Sequence, residues 1–536
     1  ISCNLSKDED QRVMRRNLLL GIGGGLSGSL VSGDRAARGD PVHAPDLSKC
    51  SRGTDLNTKQ PLDVDCCPPQ SDEIADYMPT SQAKIRVRPA AHTAGEGYFR
   101  KYERGIALMK SLPSDDPRSF IQQAKVHCAY CNLTFPQPGD DKLKYQIHNS
   151  WLFLPFHRWY LYFYERILGK LLDDPTFGIP FWNWDSDNPA AVRIPEAYTS
   201  KNSPLYDSRR NPNHFPPAPA DLSYSASARK SRSPEKIISH NQTIMYREMV
   251  RRVWRLQDFY GAKYVVGTKP DPGPGTVERG SHTAIHAWVG ENTSTAEDMG
   301  NFYSAARDPI FYGHHANVDR LWCTWQDLRG SKKNYFNDSD WLDASFVFYD
   351  ENARLVRVKV RDAVDIRRLG YAYQDVDSTW LKKRPLARFR KSDVAAKSNA
   401  PRPDKIFPLK LDKVVKVLVQ RPKKSRSHDE KEREEELLVI EGIEVDKSKF
   451  VKFDVFVNDE EDDPDEFDKA EYAGSYSQVV QKKNSTRVNT KITLGLTEIL
   501  EDLGAEDHDD ILVALVPKVG GEDITIGGIK IIYDSE

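Results

Sequence analysis

One long segment restricts the possible folds of this chain more than any other feature. It begins at Trp151 and reads W-L-F-L-P-F-H-R-W-Y-L-Y-F-Y-E-R-I-L, with aromatic or aliphatic side chains on nearly every face of a helix. A helix that is apolar all round is stable in water only when other parts of the protein surround it. We therefore predict that this segment is a helix buried in a large core.

The charge and hydropathy patterns exclude several classes of partner. The chain has 77 Lys and Arg residues and 79 Asp and Glu residues, so its formal net charge is −2. This balance gives no electrostatic reason to expect nucleic acid as a partner. The sequence also contains no apolar run of about 18 residues or more, and we therefore predict no membrane span.

The 536 residues exceed one typical core, and changes in pattern divide them into four segments. Residues 1–39 contain Arg15-Arg16, an apolar stretch diluted by glycine and then small residues, which is the layout of an export signal. An ordinary N-terminus with a chance arginine pair is the alternative. Residues 40–380 carry helical patterns, 381–405 form a basic unpatterned stretch typical of an exposed linker, and 406–536 contain short β-runs. We predict a mainly α domain followed by an all-β, sandwich-like domain.

The histidines fall into two groups, each near apolar or aromatic residues: His127, His148 and His157 in the first, and His282, His286, His314 and His315 in the second. His282 and His286 are four residues apart and so lie on one face of a helix, where they can share a metal ion. A nitrogen-rich set without a carboxylate motif suits copper, zinc or nickel rather than magnesium or calcium. Copper has the highest affinity for such ligands, and the H-E-x-x-H spacing of many zinc sites is absent. A histidine that only satisfies a hydrogen bond in the core is the alternative for any one of them.

Four sequence blocks follow one another along the chain: V-H-C-A-Y-C, L-F-L-P-F-H-R-W-Y-L-Y-F-Y-E-R, H-T-A-I-H-A-W and D-P-I-F-Y-G-H-H-A-N-V-D-R-L-W. Together they resemble the two copper-binding regions of the plant polyphenol oxidases. These are type-3 copper proteins of the catechol oxidase and tyrosinase-like kind. The motif K-F-D-V at 452–455 extends the resemblance into the C-terminal region. The resemblance implies a helical bundle around a dinuclear copper site. It assigns His127, His148 and His157 to the first copper ion, and His282, His286 and His315 to the second.

The resemblance also implies cross-links and further site residues. The cross-links are the disulfides Cys50–Cys67 and Cys66–Cys128 and a thioether between Cys131 and His148, with a free buried thiol as the alternative for Cys131. Glu278 matches a buried carboxylate that holds a water molecule, although a helix cap is the alternative. Phe302 matches a bulky gate residue over the second copper, or is a plain core aromatic. Thr283 stands where several relatives carry Asn, and we expect it at an exposed mouth together with Arg279 and Ala287.

The function implied by the resemblance is copper-dependent oxidation of o-diphenols to o-quinones, with O2 as the co-substrate that is reduced to water. The C-terminal domain would be a lid that keeps the enzyme latent until a protease removes it, or else a passive folding or copper-delivery domain. A monophenol hydroxylase, of tyrosinase type or specific for a plant metabolite, and a non-catalytic O2-binding protein are the alternatives. The expected location is the thylakoid lumen of the plastid, which allows a loose association with the membrane.

Overall fold

The computed structural model describes residues 40–52, 65–71, 73–79, 84–224, 232–250, 256–293, 296–329, 337–385, 395, 398–459, 461, 469–480 and 487–535. The predicted targeting segment 1–39 lies outside the described residues, and so do residues 386–394 and 396–397 of the predicted linker. The four-segment division of the chain therefore stays a prediction.

Helices dominate the described part of the chain up to residue 385, and two short ones and a longer one follow in the C-terminal region. They are α1 (Gly95–Ser111), α2 (Phe120–Cys131), α3 (Phe153–Leu171), α4 (Pro189–Val192), α5 (Pro234–Met249), α6 (Leu256–Tyr260), α7 (Thr283–Val289), α8 (Ile310–Leu328), α9 (Ser339–Leu342), α10 (Pro403–Ile406), α11 (His428–Arg433) and α12 (Thr497–Leu503). A π-helical turn, Glu278–His282, leads directly into α7.

Helix α3 is the aromatic segment, and it lies in the core as predicted. Trp159 and Tyr160 have no exposed surface, and the helix packs against α1 and α8. A buried ion pair of 2.5 Å joins Arg158 of α3 to Asp319 of α8. Because His157 is next to this arginine and His315 is one turn before this aspartate, the ion pair fixes the two helices close to the histidines.

The strands form small sheets beside the helices and two larger sheets in the C-terminal region. They are β1 (Ala75–Asp76), β2 (Arg86–Arg88), β3 (Pro136–Gln137), β4 (Asp140–Lys144), β5 (Ser345–Tyr349), β6 (Leu355–Lys359), β7 (Tyr371–Tyr373), β8 (Leu409–Lys410), β9 (Val415–Gln420), β10 (Glu434–Asp446), β11 (Val451–Val457), β12 (Tyr472–Gln478), β13 (Arg487–Gly495), β14 (Asp510–Val519), β15 (Thr525–Ile526) and β16 (Gly528–Ser535).

The two C-terminal sheets enclose a separate apolar core, as a sandwich does. One sheet has the order β13-β10-β15-β8, with β16 also paired to β10, and the other has the order β12-β11-β14-β9. Val417, Ile440, Phe453 and Leu515 are among the side chains buried between them. The predicted fold class, a mainly α domain followed by an all-β sandwich, is confirmed.

The K-F-D-V motif on β11 explains how the sandwich contacts the helical region. Since side chains alternate along a strand, Phe453 and Val455 enter the sandwich core while Lys452 points to the opposite face. There the Lys452 ammonium donates a hydrogen bond of 3.2 Å to the carbonyl of Tyr224. Phe456 belongs to the apolar core of the helical region rather than to that of the sandwich. The sheet that contains β11 is therefore buried on both faces.

Both predicted disulfides are present, Cys50–Cys67 and Cys66–Cys128. The second one attaches the N-terminal segment to α2, the helix that carries His127. Disulfides of this kind typically stabilise a fold by about 2–4 kcal/mol. Among the helices that the structure describes, none combines the length and the apolarity that crossing a bilayer requires.

Candidate metal centre

The predicted histidines converge in the core of the helical region, although they come from four α-helices, the π-helical turn and a loop. The ligand atoms of the second group, His282, His286, His314 and His315, all lie within 4.8 Å of one another. The ring of His157 stacks on that of His315 with 4.1 Å between the centroids, which joins the first group to the second. The rings of His127 and His148 lie 5.5 Å and 5.1 Å from that of His157.

Four of these rings are oriented by hydrogen bonds to backbone carbonyls. Nδ1 of His127 donates to Phe302, Nδ1 of His157 to Phe153, Nδ1 of His282 to Glu278 and Nδ1 of His286 to Met299, over 2.8, 2.8, 3.1 and 2.6 Å. A ring that carries its proton on Nδ1 presents a lone pair on Nε2. Second partners of this kind are typical of histidines that bind metals.

Three of the four opposite nitrogens have no hydrogen-bond partner among the described residues. Nε2 of His127, His157 and His282 is buried and makes no hydrogen bond to any residue that the structure describes. Burial lowers the pKa of His127 to about 3 and that of His286 to about 4, and it places the pKa values of the other five well below the ordinary value. The rings are therefore neutral, as metal ligation requires.

His148 differs from the other members of the first group. Neither of its ring nitrogens makes a hydrogen bond within the described part of the chain, so nothing of that kind fixes its orientation. The Cys131 sulfur lies in a cluster with His127 and His148 in which all ligand atoms are within 4.8 Å of one another. Cys131 is buried and carries no disulfide.

The adjacent residues His314 and His315 have different environments. Trp184 donates its Nε1 hydrogen to Nδ1 of His314 over 3.1 Å. A neutral ring that accepts at Nδ1 carries its proton on Nε2, and that proton occupies the position of a metal. Nδ1 of His315 has no hydrogen-bond donor among the residues that the structure describes, and its Nε2 lies 3.3 Å from Nε2 of His286.

Glu278 brings a carboxyl group to the edge of the two histidine groups. Its Oε1 accepts a hydrogen bond of 2.7 Å from the backbone of Asn149, the residue after His148. Its Oε2 is buried and makes no hydrogen bond to a described residue. Burial raises the pKa of Glu278 well above its ordinary value. The side chain therefore offers one free oxygen and favours the protonated form.

The expected exposed mouth is not present, which corrects the sequence-based prediction for Thr283 and Arg279. Both residues are buried, because the π-helical turn and α7 lie under β12 of the sandwich. The Ser477 hydroxyl donates to the Arg279 carbonyl over 2.7 Å. The Thr283 hydroxyl donates to the Glu278 carbonyl over 2.7 Å, so its only proton is already used. Ala287 is only partly buried.

The predicted position of Phe302 over the second copper is also corrected. Its ring stacks on His148, in the first group, with 4.3 Å between the centroids and an angle of 25°. The neighbouring residue Asn301 pairs with Val480 of the sandwich, and the Phe302 amide donates to the Val480 carbonyl over 2.9 Å. This backbone pairing with the C-terminal domain holds the Phe302 ring against His148.

Comparisons with known proteins agree with this geometry. Three family models match the chain: the common central domain of tyrosinase over residues 117–328, the polyphenol oxidase middle domain over 335–386 and the chloroplastic polyphenol oxidase C-terminal domain over 407–533. Polyphenol oxidase II, chloroplastic, from Ipomoea batatas is 49% identical over 545 residues, covering 100% of this chain and 92% of that protein. This chain belongs to the plant polyphenol oxidases.

Solved structures of plant polyphenol oxidases have the same architecture. The structure of latent apple tyrosinase aligns with a TM-score of 0.81 and 50% identity, covering 86% of this chain and 100% of that one. A latent aurone synthase, also a polyphenol oxidase, aligns with a TM-score of 0.85 and 41% identity over 92% of this chain and 99% of that one. The family resemblance stated from the sequence blocks is confirmed.

Several residues of this polyphenol oxidase that position the site carry no signal in the sequence. Met299 and Phe153 act through backbone carbonyls, which any residue supplies. Trp184 lies in F-W-N-W-D, a run that reads as ordinary core. The segment 477–480 touches the site only because the sandwich packs on the helical region.

Proposed function

We propose that the chain is a copper-dependent oxidase that converts o-diphenols to o-quinones while O2 is reduced to water. The observation that supports this most directly is the set of neutral imidazoles whose Nδ1 atoms are bound to carbonyls and whose Nε2 atoms have no partner. Such rings fit a metal with a preference for nitrogen ligands, and copper heads that order. The copper pair, when bound, supplies the site for O2 and accepts the electrons of the phenol.

The proposed ligands are His127, His148 and His157 for one copper ion and His282, His286 and His315 for the other. The hydrogen bond from Trp184 to Nδ1 of His314 favours His315 over its neighbour, because it commits the Nε2 position of His314 to a proton. His314 then supports the site by packing, with its ring 4.8 Å from that of His286.

We assign the orientation of His148 to a thioether with Cys131. Two observations support the assignment. The Cys131 sulfur lies close to the His148 ring, and no hydrogen bond from a described residue orients that ring. The link replaces an S–H and a ring C–H bond by one C–S bond, and the two electrons and two protons that are released pass to O2. The Phe302 ring, stacked on the other side of His148, would limit how a substrate ring approaches.

Glu278 and Thr283 define the proton chemistry that the chain can offer. The free Oε2 of Glu278 is placed to hold a water molecule that accepts the phenolic proton. The Thr283 hydroxyl cannot donate to that water, because its proton is bound to the Glu278 carbonyl. A catechol loses its protons more readily than a monophenol does, so this arrangement favours diphenol oxidation over monophenol hydroxylation.

The C-terminal domain is proposed to be a lid that keeps the oxidase latent until a protease cuts the chain. Support comes from the burial of Arg279 and Thr283 under β12 and from the pairing of Phe302 with Val480. Two of the similar solved structures are described as latent forms. We also propose a plastid location, since the Ipomoea batatas relative is named chloroplastic, and the thylakoid lumen within it.

Oxygen uptake by the copper-loaded protein, before and after cleavage of the linker, tests this function. We expect catechol to drive uptake with two catechols oxidised for each O2, and tyramine to drive it far more slowly. Equal rates with tyramine would favour a monophenol hydroxylase. Reversible O2 binding without consumption of any phenol, in the cleaved protein as well, would reject the oxidase and favour the O2-binding protein.

A further inference from the structure

A buried arginine lies beside the metal centre without a partner. Arg279 is 9% exposed, and its guanidinium makes no hydrogen bond or ion pair with any residue that the structure describes. A buried charge without compensation is costly, because the interior solvates it poorly. Burial correspondingly lowers the pKa of Arg279. Asp258 and Glu248 are the nearest acidic groups that act on the guanidinium, but neither makes a hydrogen bond or an ion pair with it, so a further negative charge can bind there.

The same guanidinium lines a small cavity of about 30 Å³ between the helical region and the sandwich. From the helical region, Arg247, Asp258 and Thr276 complete one wall together with Arg279. From the sandwich, the wall consists of Tyr472, Ala473, Thr493, Leu494, Gly495 and Ile499. A group bound here would contact both parts of the protein at once.

The charges on the wall favour a single negative charge inside. The charged side chains that line the wall are Arg247, Arg279 and Asp258, so positively charged groups outnumber negatively charged ones there. The carboxyl group of Glu248 lies nearby, but it is bound to Ser281 and burial raises its pKa to about 7, so it only partly offsets the arginines. A divalent cation would be repelled by this wall.

The size of the cavity restricts the ligand further. A single water molecule needs roughly 10–15 Å³ of such space, so the cavity accepts about two atoms of that size. Chloride or bromide fits this space, whereas sulfate and phosphate are too large and carry excess charge.

We propose that this cavity is a binding site for a small monovalent anion of the halide class, held between Arg247 and Arg279. The anion compensates the buried guanidinium and joins the helical region to the C-terminal sandwich. This site is distinct from the proposed copper site and does not depend on the proposed reaction.

Thermal unfolding of the copper-loaded full chain tests the site. Sodium chloride or bromide is compared with sodium gluconate at equal ionic strength, because gluconate is too large for the cavity. We expect the halides to raise the midpoint by on the order of 1–3 °C in a saturable manner. The same midpoint in all three salts would overturn the proposal.

The variant Arg279→Gln should lose the halide effect, while Arg100→Gln, on the exposed surface of α1, should keep it. A halide effect that is unchanged in Arg279→Gln would place the anion elsewhere, for example on copper, and would also overturn the proposal.

Crystals of the unmodified protein grown in bromide give a direct measurement that does not depend on a variant. We expect an anomalous peak within the cavity, close to the Arg247 and Arg279 guanidinium groups. Strong peaks elsewhere with none in this cavity would exclude the site.

Discussion

At the scale of single residues, Glu248 supports the turn that leads into His282. Its carboxylate accepts hydrogen bonds from the Ser281 hydroxyl, over 2.6 Å, and from the Ser281 amide. A Cβ at position 280 would lie 1.9 Å from Oε1 of Glu248, so the glycine leaves room for this carboxyl group beside the turn. Burial raises the pKa of Glu248 to about 7.

We predict that Glu248→Gln changes the pH dependence of stability. When the pKa of a carboxyl group is higher in the folded state than in the unfolded state, the free energy of unfolding of the protein falls as the pH rises, here from about 4.5 to about 7. The unmodified protein should therefore lose about 1–3 kcal/mol relative to the variant across this range. Denaturant unfolding at several pH values measures the difference, with the exposed Glu96→Gln as the control. Parallel profiles of Glu248→Gln and the unmodified protein would show that Glu248 does not titrate in this range.

The proposed ligands give a second prediction. His157→Ala or His286→Ala should lower the copper content from two ions per chain to one or fewer and abolish turnover, because each removes a ligand from a different ion. Metal analysis of the purified protein and oxygen uptake measure the two effects. The exposed His43→Ala serves as the control. Full copper content with normal turnover in either variant would contradict the assignment.

Glu278 gives a third prediction. Glu278→Gln should lower monophenol hydroxylation more than diphenol oxidation, since a carboxyl group can relay a proton between its two oxygens and an amide cannot. Rates with tyramine and catechol, measured on the same copper-loaded preparation, provide the ratio. An equal loss of both activities would mean that Glu278 acts only through its hydrogen bond to the Asn149 amide.

At the scale of elements, a buried ion pair joins the end of β10 to the surroundings of His148. Lys447, just after β10, lies 2.5 Å from Asp271, and the Asn149 amide group donates to the other oxygen of Asp271 over 3.3 Å. Removing one partner of a buried ion pair typically costs about 3–5 kcal/mol, because the other charge stays uncompensated. This pair therefore contributes to holding the sandwich over the site.

We predict that Lys447→Met raises the diphenol turnover of the uncut chain, because it weakens the contact between the sandwich and the helical region. Lys449→Met is the matched control, since Lys449 is half exposed and pairs with Asp523 inside the sandwich. Turnover of the uncut proteins is compared at equal copper content. If both variants stay as latent as the unmodified protein, this ion pair has no part in latency.

The elements also show what sequence patterns can and cannot predict. Helix α3 and strand β14 follow from largely apolar runs, and strand β11 follows from an alternation of apolar and charged residues. Strand β12, Y-A-G-S-Y-S-Q, has no continuous apolar run. Its polar residues are buried because they face the helical region, where Ser477 bonds to a carbonyl of the π-helical turn. A polar strand buried at an interface cannot be recognised from periodicity alone.

At the scale of the whole molecule, cleavage within 381–405 and separation of the two parts should raise diphenol turnover. The reason is that β12 packs on the π-helical turn and Val480 pairs with the backbone of Phe302 in the intact chain. Turnover with a small and a bulky catechol, before and after separation, measures the effect, and we expect the larger gain for the bulky one. A helical part that is folded, loaded with copper and no more active than the intact chain would contradict the lid.

The site as a whole was only partly predictable. The histidines could be named because ligand chemistry restricts the residue type at each position. The burial of Arg279 and Thr283 and the position of the Phe302 ring could not be predicted, because they depend on how the sandwich packs on the helical region. Contacts between separate parts of a chain leave no local pattern in the sequence.

The disulfide Cys50–Cys67 has a practical consequence for anyone who follows proteolysis of this protein. A peptide bond broken anywhere between these two cysteines leaves both fragments covalently joined, and Cys66–Cys128 joins them in turn to α2. On a non-reducing gel such a nicked chain migrates as a single band, and only a thiol reagent separates the pieces. Residues 381–405 lie outside the loops that the two disulfides close, so cleavage there separates the fragments on both reducing and non-reducing gels. Running both gels therefore distinguishes a cut in this segment from a cut between Cys50 and Cys67.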